Sequence, residues 1–314
     1  YQVEPGCLIE FSLGEEIVSK KIKWWKPNLN NFDFHNYNDS VNKLRELFLQ
    51  NIEIHLRSDV PVGAALSGGL DSSSIVCAMR YLYPEMPIHT FTYIDEEKSI
   101  NEFKWAEKIN KFVGATPNYV RGSSEDLKTN LEKLIKLQGE PFGSTSTYAQ
   151  YCVYKEAHDR GITVTLDGQG ADELLAGYDG YVGYRLLSLI EEFQLIDALS
   201  FLIKWSKYPR RNIKIALMDL GRITLPNKIY KIFRKKVGRN FKPKWLNYTF
   251  LNKYNINFNE IRDDFNNEFK GKRVIEKLNN SLSGRGLPAL LRIADRNSMH
   301  FSIESRMPYL TSDF

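Results

Sequence analysis

The chain has 314 residues and a mass of 36.4 kDa, enough for about two domains with a substantial core, which excludes a peptide, a small disulfide scaffold and a disordered tail. Hydrophobic residues make up 42%, aromatics 13% and charged residues 26%, as in an ordinary globular chain, and no run approaches the roughly 18 apolar residues of a membrane helix. The net charge is +5, and the three cysteines, Cys7, Cys77 and Cys152, contain no Cys-x-x-Cys pair, so neither a disulfide framework nor a zinc knuckle is indicated and a reducing compartment, the cytoplasm, is expected.

From Tyr1 to Trp25 two strand-like runs, Cys7 to Phe11 and Ile17 to Trp24, flank a turn at Gly14 and read as the last hairpin of an upstream domain. The Asn-rich segment around Pro27, up to Asn38, reads as a linker. A helix is expected from there, capped by Asp39 or Ser40, with Val41, Leu44, Leu47, Phe48 and Ile52 at helical spacing. Apolar runs at Val62–Leu66, Ile88–Ile94 and Ile162–Leu166 then alternate with helical patterns at Ser72–Tyr83, Glu102–Val113, Glu125–Leu137 and Thr147–Asp159, with a short further strand at Asn118–Val120. This rhythm predicts an α/β fold, a parallel sheet with helices on both faces, over 39–182. Beyond it the spacing predicts a helical part over 183–314, with helices at Leu186–Trp205, Lys214–Leu220, Asn227–Val237, Arg262–Leu282 and Leu287–Met299. Residues 204–244 hold 14 Lys and Arg against the single acid Asp219, a local +13. Lys228, Lys231, Arg234, Lys235 and Lys236 alternate there with apolar residues, as on the wet face of an amphipathic helix, although a nucleic acid could use such a stretch. The chain starts at Tyr1 and stops at Phe314 just after an apolar segment, so functional parts are expected beyond both ends.

The loop Ser67-Gly68-Gly69-Leu70-Asp71-Ser72-Ser73 joins the strand ending at Leu66 to the following helix. In a parallel sheet such a position lies at the carboxyl edge, where a helix N-terminus offers unpaired N–H groups and a partial positive charge, so phosphate is the natural guest. Gly68 and Gly69 admit close backbone approach, and the serine hydroxyls add donors. Asp71 would repel phosphate unless a cation intervenes; Mg²⁺ bridging Asp71 and phosphate oxygens resolves the conflict. Neither G-x-x-x-x-G-K-[ST] nor G-x-G-x-x-G occurs here. A second loop, Asp167-Gly168-Gln169-Gly170-Ala171-Asp172-Glu173, follows another strand and should open on the same edge, which makes Asp172 the second candidate magnesium ligand. Acids in a first turn also complement the helix dipole, and the pairing with the first loop is what favours the metal reading. None of the five histidines falls in a metal spacing.

With these loops, Glu140 to Tyr148, Leu290-Leu291-Arg292 with Asp295 to Met299, and Glu304-Ser305-Arg306-Met307-Pro308-Tyr309-Leu310, the chain resembles the synthetase domain of the glutamine-dependent asparagine synthetase family, a branch of the ATP pyrophosphatases. The resemblance implies an adenine-nucleotide α-hydrolase-like fold and an ATP-dependent ligase: a substrate carboxylate, aspartate first among candidates, attacks the α-phosphate of ATP to give an acyl-adenylate and pyrophosphate, and ammonia then forms the amide. It implies that Ser67, Gly68, Gly69, Leu70, Ser72 and Ser73 hold the pyrophosphate, that Asp71 and Asp172 hold Mg²⁺ and act catalytically, and that Leu66, Tyr93, Gly168 and Gln169 lie at the nucleotide. Ammonia would come from a glutaminase domain, of which residues 1–38 resemble the last strands and the linker; Cys7, inside a strand pattern, reads as a structural thiol rather than its nucleophile. A carboxylate substrate, no membrane, no nucleic acid and a homodimer complete the expected partners.

Three departures bear on the acceptor. Gln169 stands where asparagine synthetases carry Glu, and Gln cannot act as a general base. The segment Gly143-Ser144-Thr145-Ser146-Thr147 offers hydroxyls and no Arg for an aspartate carboxylate. The lysine the family uses in adenylation belongs to a segment past the late motif. The same chemistry on a sugar or peptide carboxylate, an RNA-base-modifying ATP pyrophosphatase and a non-catalytic ATP-binding module therefore stay open. Arg292, Asp295, Arg296, Glu304 and Arg306 read as a salt-bridge network rather than as substrate ligands.

Overall fold

The computed structural model describes residues 3–12, 18–29, 36–94, 100–209, 211–226, 229–230, 246–256, 264–284, 286–312 and 314. Strands β1 (Cys7–Ser12) and β2 (Val18–Lys23) pair antiparallel as the expected hairpin. Helix α1 (Tyr37–His55) starts earlier than Asp39: Asn36 is the cap, its side chain accepting from the Asp39 N–H. Asp39 instead sits in the first turn, where its charge complements the dipole.

The central layer is a five-stranded sheet in the order β5-β4-β3-β6-β7, built from β3 (Val62–Ala65), β4 (His89–Ile94), β5 (Thr116–Arg121), β6 (Val164–Leu166) and β7 (Glu304–Arg306). Every neighbouring pair is parallel. Helices α2 (Leu70–Leu82), α3 (Ile100–Val113), α4 (Ser124–Gln138) and α5 (Ser146–Asp159) make the crossovers that parallel strands require. Helix α4 opens on a Ser123–Asp126 capping box and stops at Gly139 in the left-handed conformation. Strand β3 occupies the centre because its residues are small: a side chain at Gly63 would meet the Phe91 ring at 2.8 Å and Ile162 at 3.1 Å. The main core, Leu66, Ile75, Met79, Ile88 and Leu166 among others, lies against the α1, α2 and α3 side of this sheet.

The fifth strand is a departure from the sequence-based expectation. Glu-Ser-Arg is short and polar and carries no strand periodicity; it becomes β7 because its backbone completes the edge beside β6. Contacts accordingly divide the chain into Tyr1–Leu175 with Asn280–Phe314, and Ala176–Asn279, so the last 35 residues belong with the sheet although they follow the helical part in sequence.

The second unit, which follows the short helix α6 (Ala171–Leu175) in sequence, is helical. The apolar stretch expected as one helix at Leu186–Trp205 is two, α7 (Tyr181–Glu191) and α8 (Leu195–Ser206), separated where Phe193 takes φ +60°. With α9 (Ile213–Thr224) they enclose Val182, Leu186, Leu189, Ala198, Leu202 and Ala216. Of the segment expected as a helix at Arg262–Leu282, the described part is helical from Arg273 to Ser283, after one 3-10 turn at Asn267–Phe269. Most of Asn227–Val237, with Lys228, Lys231, Arg234, Lys235 and Lys236, and the turn at Gly14 lie outside the described residues. Arg273 is buried and paired with Glu191 at 2.9 Å and Glu276 at 2.8 Å. Truncating one member of such a group strands buried charge, at about 3–5 kcal/mol. Arg273→Ala should lower the denaturant midpoint of this unit accordingly; a midpoint within error of wild type would show that the group carries no such load.

Candidate active site

The strand order sets the geometry. From β3 the chain builds outward through β4 and β5, then returns to place β6 on the other side of β3. The point where the winding reverses lies between β3 and β6, and there the loops after the two strands part to opposite faces and leave a crevice at their carboxyl ends. The loops after these two strands are Ser67–Ser73 and Asp167–Glu173. They touch: a Cβ at Gly168 would lie 3.2 Å from the Ser72 nitrogen and 3.5 Å from Asp71 Cβ. A side chain at 168 would crowd the Ser72 amide.

The first loop is internally braced. Gly68 has φ +83°, a conformation open to glycine at little cost. Gly69 N donates to Ser67 Oγ at 3.2 Å, Ser67 N donates to Ser72 Oγ at 3.2 Å, and the two hydroxyl oxygens are 3.0 Å apart. Ser72 is thus turned inward and buried, whereas Ser67 and Gly69 are exposed and Asp71 and Ser73 half-buried. No side chain caps α2 at Gly69, so helix geometry leaves the first-turn amides of Leu70, Asp71 and Ser72 for an outside acceptor. Leu70 itself points outward, 82% exposed.

Three acids cluster beside this turn. Asp71 and Asp172 are half-buried and Glu173 is buried. Burial, then the charge of Glu173, pushes the Asp71 carboxyl above the ordinary range; burial, then the charges of Asp71 and Glu173, does the same to Asp172. The sequence pattern had given Glu173 no role beyond the dipole. Among the described residues no group of three or more His, Cys, Asp or Glu side chains is placed to hold a metal ion alone. Two mutually repelling carboxylates beside a row of free amides fit Mg²⁺ whose remaining ligands are phosphate oxygens and water. Between the ordinary carboxylate pKa and the raised one, the folded chain holds more protons than the unfolded chain. Stability contributed by the cluster therefore falls as pH climbs above about 4. In chelator, Asp172→Asn should melt higher than wild type at pH 7, and the difference should vanish below about pH 4; equal melting temperatures at pH 7 would remove the repulsion from the account.

The other expected residues divide. Tyr93 ends β4 on the same sheet edge, its hydroxyl facing the Gly122 carbonyl. Leu66 is buried in the core, its N–H donating to Phe91 O at 2.9 Å and its carbonyl accepting from Thr92 Oγ1 at 2.7 Å. Gln169 turns toward Asp167: its amide nitrogen donates to Asp167 Oδ1 at 3.2 Å and its side chain also bonds that carboxyl. Gln169 Oε1 is buried without a hydrogen-bond partner. Cys7 is half-buried on β1.

The late motif holds these loops, a role the sequence pattern did not assign. The Tyr309 hydroxyl donates to the Asp71 carbonyl at 3.2 Å, and its ring stacks on Phe48 and meets Phe314 edge-on. Leu310 lies against Gly170, which has φ +94° and no room for a side chain. Asp167 N donates to Arg306 O, and Tyr154 bonds both Asp167 and Ser305, the latter at 2.8 Å. Of the late charges, Arg292 pairs with Glu140, and Arg306 pairs with Glu304 at 2.7 Å while donating to the His55 and Arg57 carbonyls. These are two separate pairs, and among the described residues they do not join Asp295 and Arg296 into one network of the five.

Fold and loops together define an α/β protein with two glycine-containing loops meeting at a strand switch point. The profile of the asparagine synthase family matches residues 43–314, and the chain belongs to that family. It is 30% identical over 187 residues to a putative glutamine-hydrolysing asparagine synthetase 2 of Methanocaldococcus jannaschii, covering 59% of this chain and 36% of that protein. It is 31% identical over 180 residues to asparagine synthetase 1 of Bacillus subtilis, covering 57% and 28%, and 26% identical over 198 residues to the amidase chry2 of Gibberella zeae, covering 58% and 29%. The matched part spans roughly a third of these relatives' lengths. Among solved structures, the U34-tRNA thiolase NcsA of Methanococcus maripaludis superposes over 83% of this chain and 80% of its own, at TM-score 0.33 and 12% identity. That likeness is too loose to bear on function.

Proposed function

We propose that this chain is the synthetase part of an ATP-dependent amide-forming ligase. The observation that carries the reading is the contact of the two loops at the β3/β6 switch, which sets open amides and two acids around one point. The amides of the Ser67–Ser73 loop, with the exposed Ser67 and half-buried Ser73 hydroxyls, hold the β- and γ-phosphates of ATP. Asp71 and Asp172 hold Mg²⁺, which supplies charge neutralisation for the departing pyrophosphate. Tyr93 and Gly168 flank the adenosine side, with Leu66 setting the direction in which the loop leaves β3. A substrate carboxylate oxygen attacks the α-phosphorus, the bond from that phosphorus to the β-bridging oxygen breaks, and pyrophosphate leaves from an acyl-adenylate. Ammonia then attacks the acyl carbon, AMP departs with the bonding pair, and the nitrogen loses a proton to give the amide. Ammonia comes from a glutaminase domain preceding this part, to which the β1–β2 hairpin and linker at 1–38 belong, and the reaction takes place in the cytoplasm.

Aspartate is the first acceptor to test. A second reading, the same chemistry on another carboxylate, is favoured by Gln169, whose side chain is committed to Asp167, and by the arginine-free segment 143–147.

The test uses the full-length protein with ATP, Mg²⁺, ammonium and aspartate, with nucleotides separated by chromatography. AMP and pyrophosphate that require a carboxylate are expected; ADP, or no turnover with any carboxylate, would overturn the mechanism. Asp71→Asn should lower acceptor-dependent AMP formation by about 10²-fold or more with the fold retained, and wild-type rates would sink its metal role. A carboxylate at position 169 cannot donate to Asp167 and turns outward, so Gln169→Glu should raise aspartate-dependent AMP formation; an unchanged acceptor profile would remove Gln169 from acceptor choice.

A further inference from the structure

Helices α4 and α5 are joined by seven residues, Gly139–Thr145. The middle of this loop is exposed and carries hydroxyls, with Ser146 Oγ donating to Ser144 Oγ at 2.8 Å. It opens on the carboxyl edge of the sheet, because Tyr148 in the first turn of α5 lies against Gly122 just past β5, beside the Tyr93 hydroxyl. Both ends of the loop converge on one side chain from the helix Leu287–His300. Asn297, 0% exposed, accepts from Gln138 Nε2 at the end of α4 at 2.8 Å. Its own Nδ2 donates to Thr147 O at 3.0 Å and to Gln150 Oε1 at 3.1 Å at the start of α5. Three buried or part-buried hydrogen bonds on one amide fix the spacing of the loop's two stems. The neighbouring Arg292–Glu140 pair is partly exposed and by itself adds little. The phosphate loops rest on Tyr309 and Leu310, and their one link to α5 among the described residues, Tyr154 to Asp167, leaves that helix about two turns beyond Thr147, which Asn297 holds.

We propose that Asn297 is a positioning residue for the acceptor carboxylate: by setting the stems of the 139–145 loop it governs affinity for the acceptor and leaves ATP affinity to the Tyr309–Leu310 support. The proposal rests on the ligase reading above and assigns one half of that site its own scaffold. Asn297→Asp keeps the size and the acceptor for Gln138 but loses both donations to α5. Gln150→Leu, which removes only one bond from a part-buried partner, is the milder companion should the buried carboxylate prevent folding.

The experiment takes full-length protein, saturating MgATP and a panel of carboxylates that includes aspartate, and follows pyrophosphate release together with amide hydrogen exchange. In the variants the KM of the carboxylate that wild type uses should rise about tenfold while the KM for ATP stays within about twofold. Exchange should quicken over 139–147 and stay unchanged over 67–82 and 164–175. Equal changes in both KM values, or unchanged exchange over 139–147, would overturn the proposal. If no carboxylate in the panel drives pyrophosphate release in wild type, the ligase reading fails by itself, and the proposal that Asn297 positions an acceptor falls with it even where exchange shows the stems loosened.

Discussion

The contact between Gly168 and the Ser72 amide is the constraint on which the site depends. A phosphate needs donors that are fixed, unpaired and reachable, and folded chains leave few such groups because nearly every buried N–H is paired. The first turn of α2 supplies them at no cost to the helix. The second loop must then come within van der Waals distance without covering them, which the missing side chain at 168 allows. Had β6 been placed on the far side of β5, Asp172 would be two strands removed from Asp71 and the pair would not exist.

Closeness has an electrostatic cost. Asp71 raises the proton affinity of Asp172, and Glu173 that of both, in surroundings already low in water. Such an arrangement costs the fold stability, and on the proposed reading a bound cation would offset that cost. The support comes from the end of the chain. β7 adds an edge strand to β6, Tyr309 reaches back to the Asp71 carbonyl and Leu310 fills the space beside Gly170. The conformation of both loops is thus braced by a segment from the far end of the chain.

The acceptor side is organised on another principle. There the loop itself is exposed and its order comes from its stems, tied to the helix Leu287–His300 through Asn297. On the proposed reading, dividing the supports would let one half of the site change its substrate while the other keeps its nucleotide. Gln169 is held by Asp167 on the second loop.

Much of this was legible in the linear sequence. The Ser-Gly-Gly-Leu-Asp-Ser-Ser loop, the acidic glycine loop and the strand–helix alternation could be read directly, because backbone conformation, capping and hydrophobic periodicity are local properties that neighbouring residues decide. The helix split at Phe193, the capping by Asn36 and the strand Glu304–Arg306 were not legible: a left-handed non-glycine residue, a cap three positions upstream and a polar strand carry no periodic signal. Nor were the partners of Asp71 and Asn297, since Tyr309 is 238 residues from Asp71, and Asn297 is 159 and 147 residues from Gln138 and Gln150. The sequence by itself determined which residues are the candidates for chemistry and that they sit in loops between strand and helix. Tertiary structure alone decided that two of those loops become neighbours and which distant side chains hold them, because strand order and long-range contacts depend on how the whole chain closes its core, and no local pattern encodes that closure.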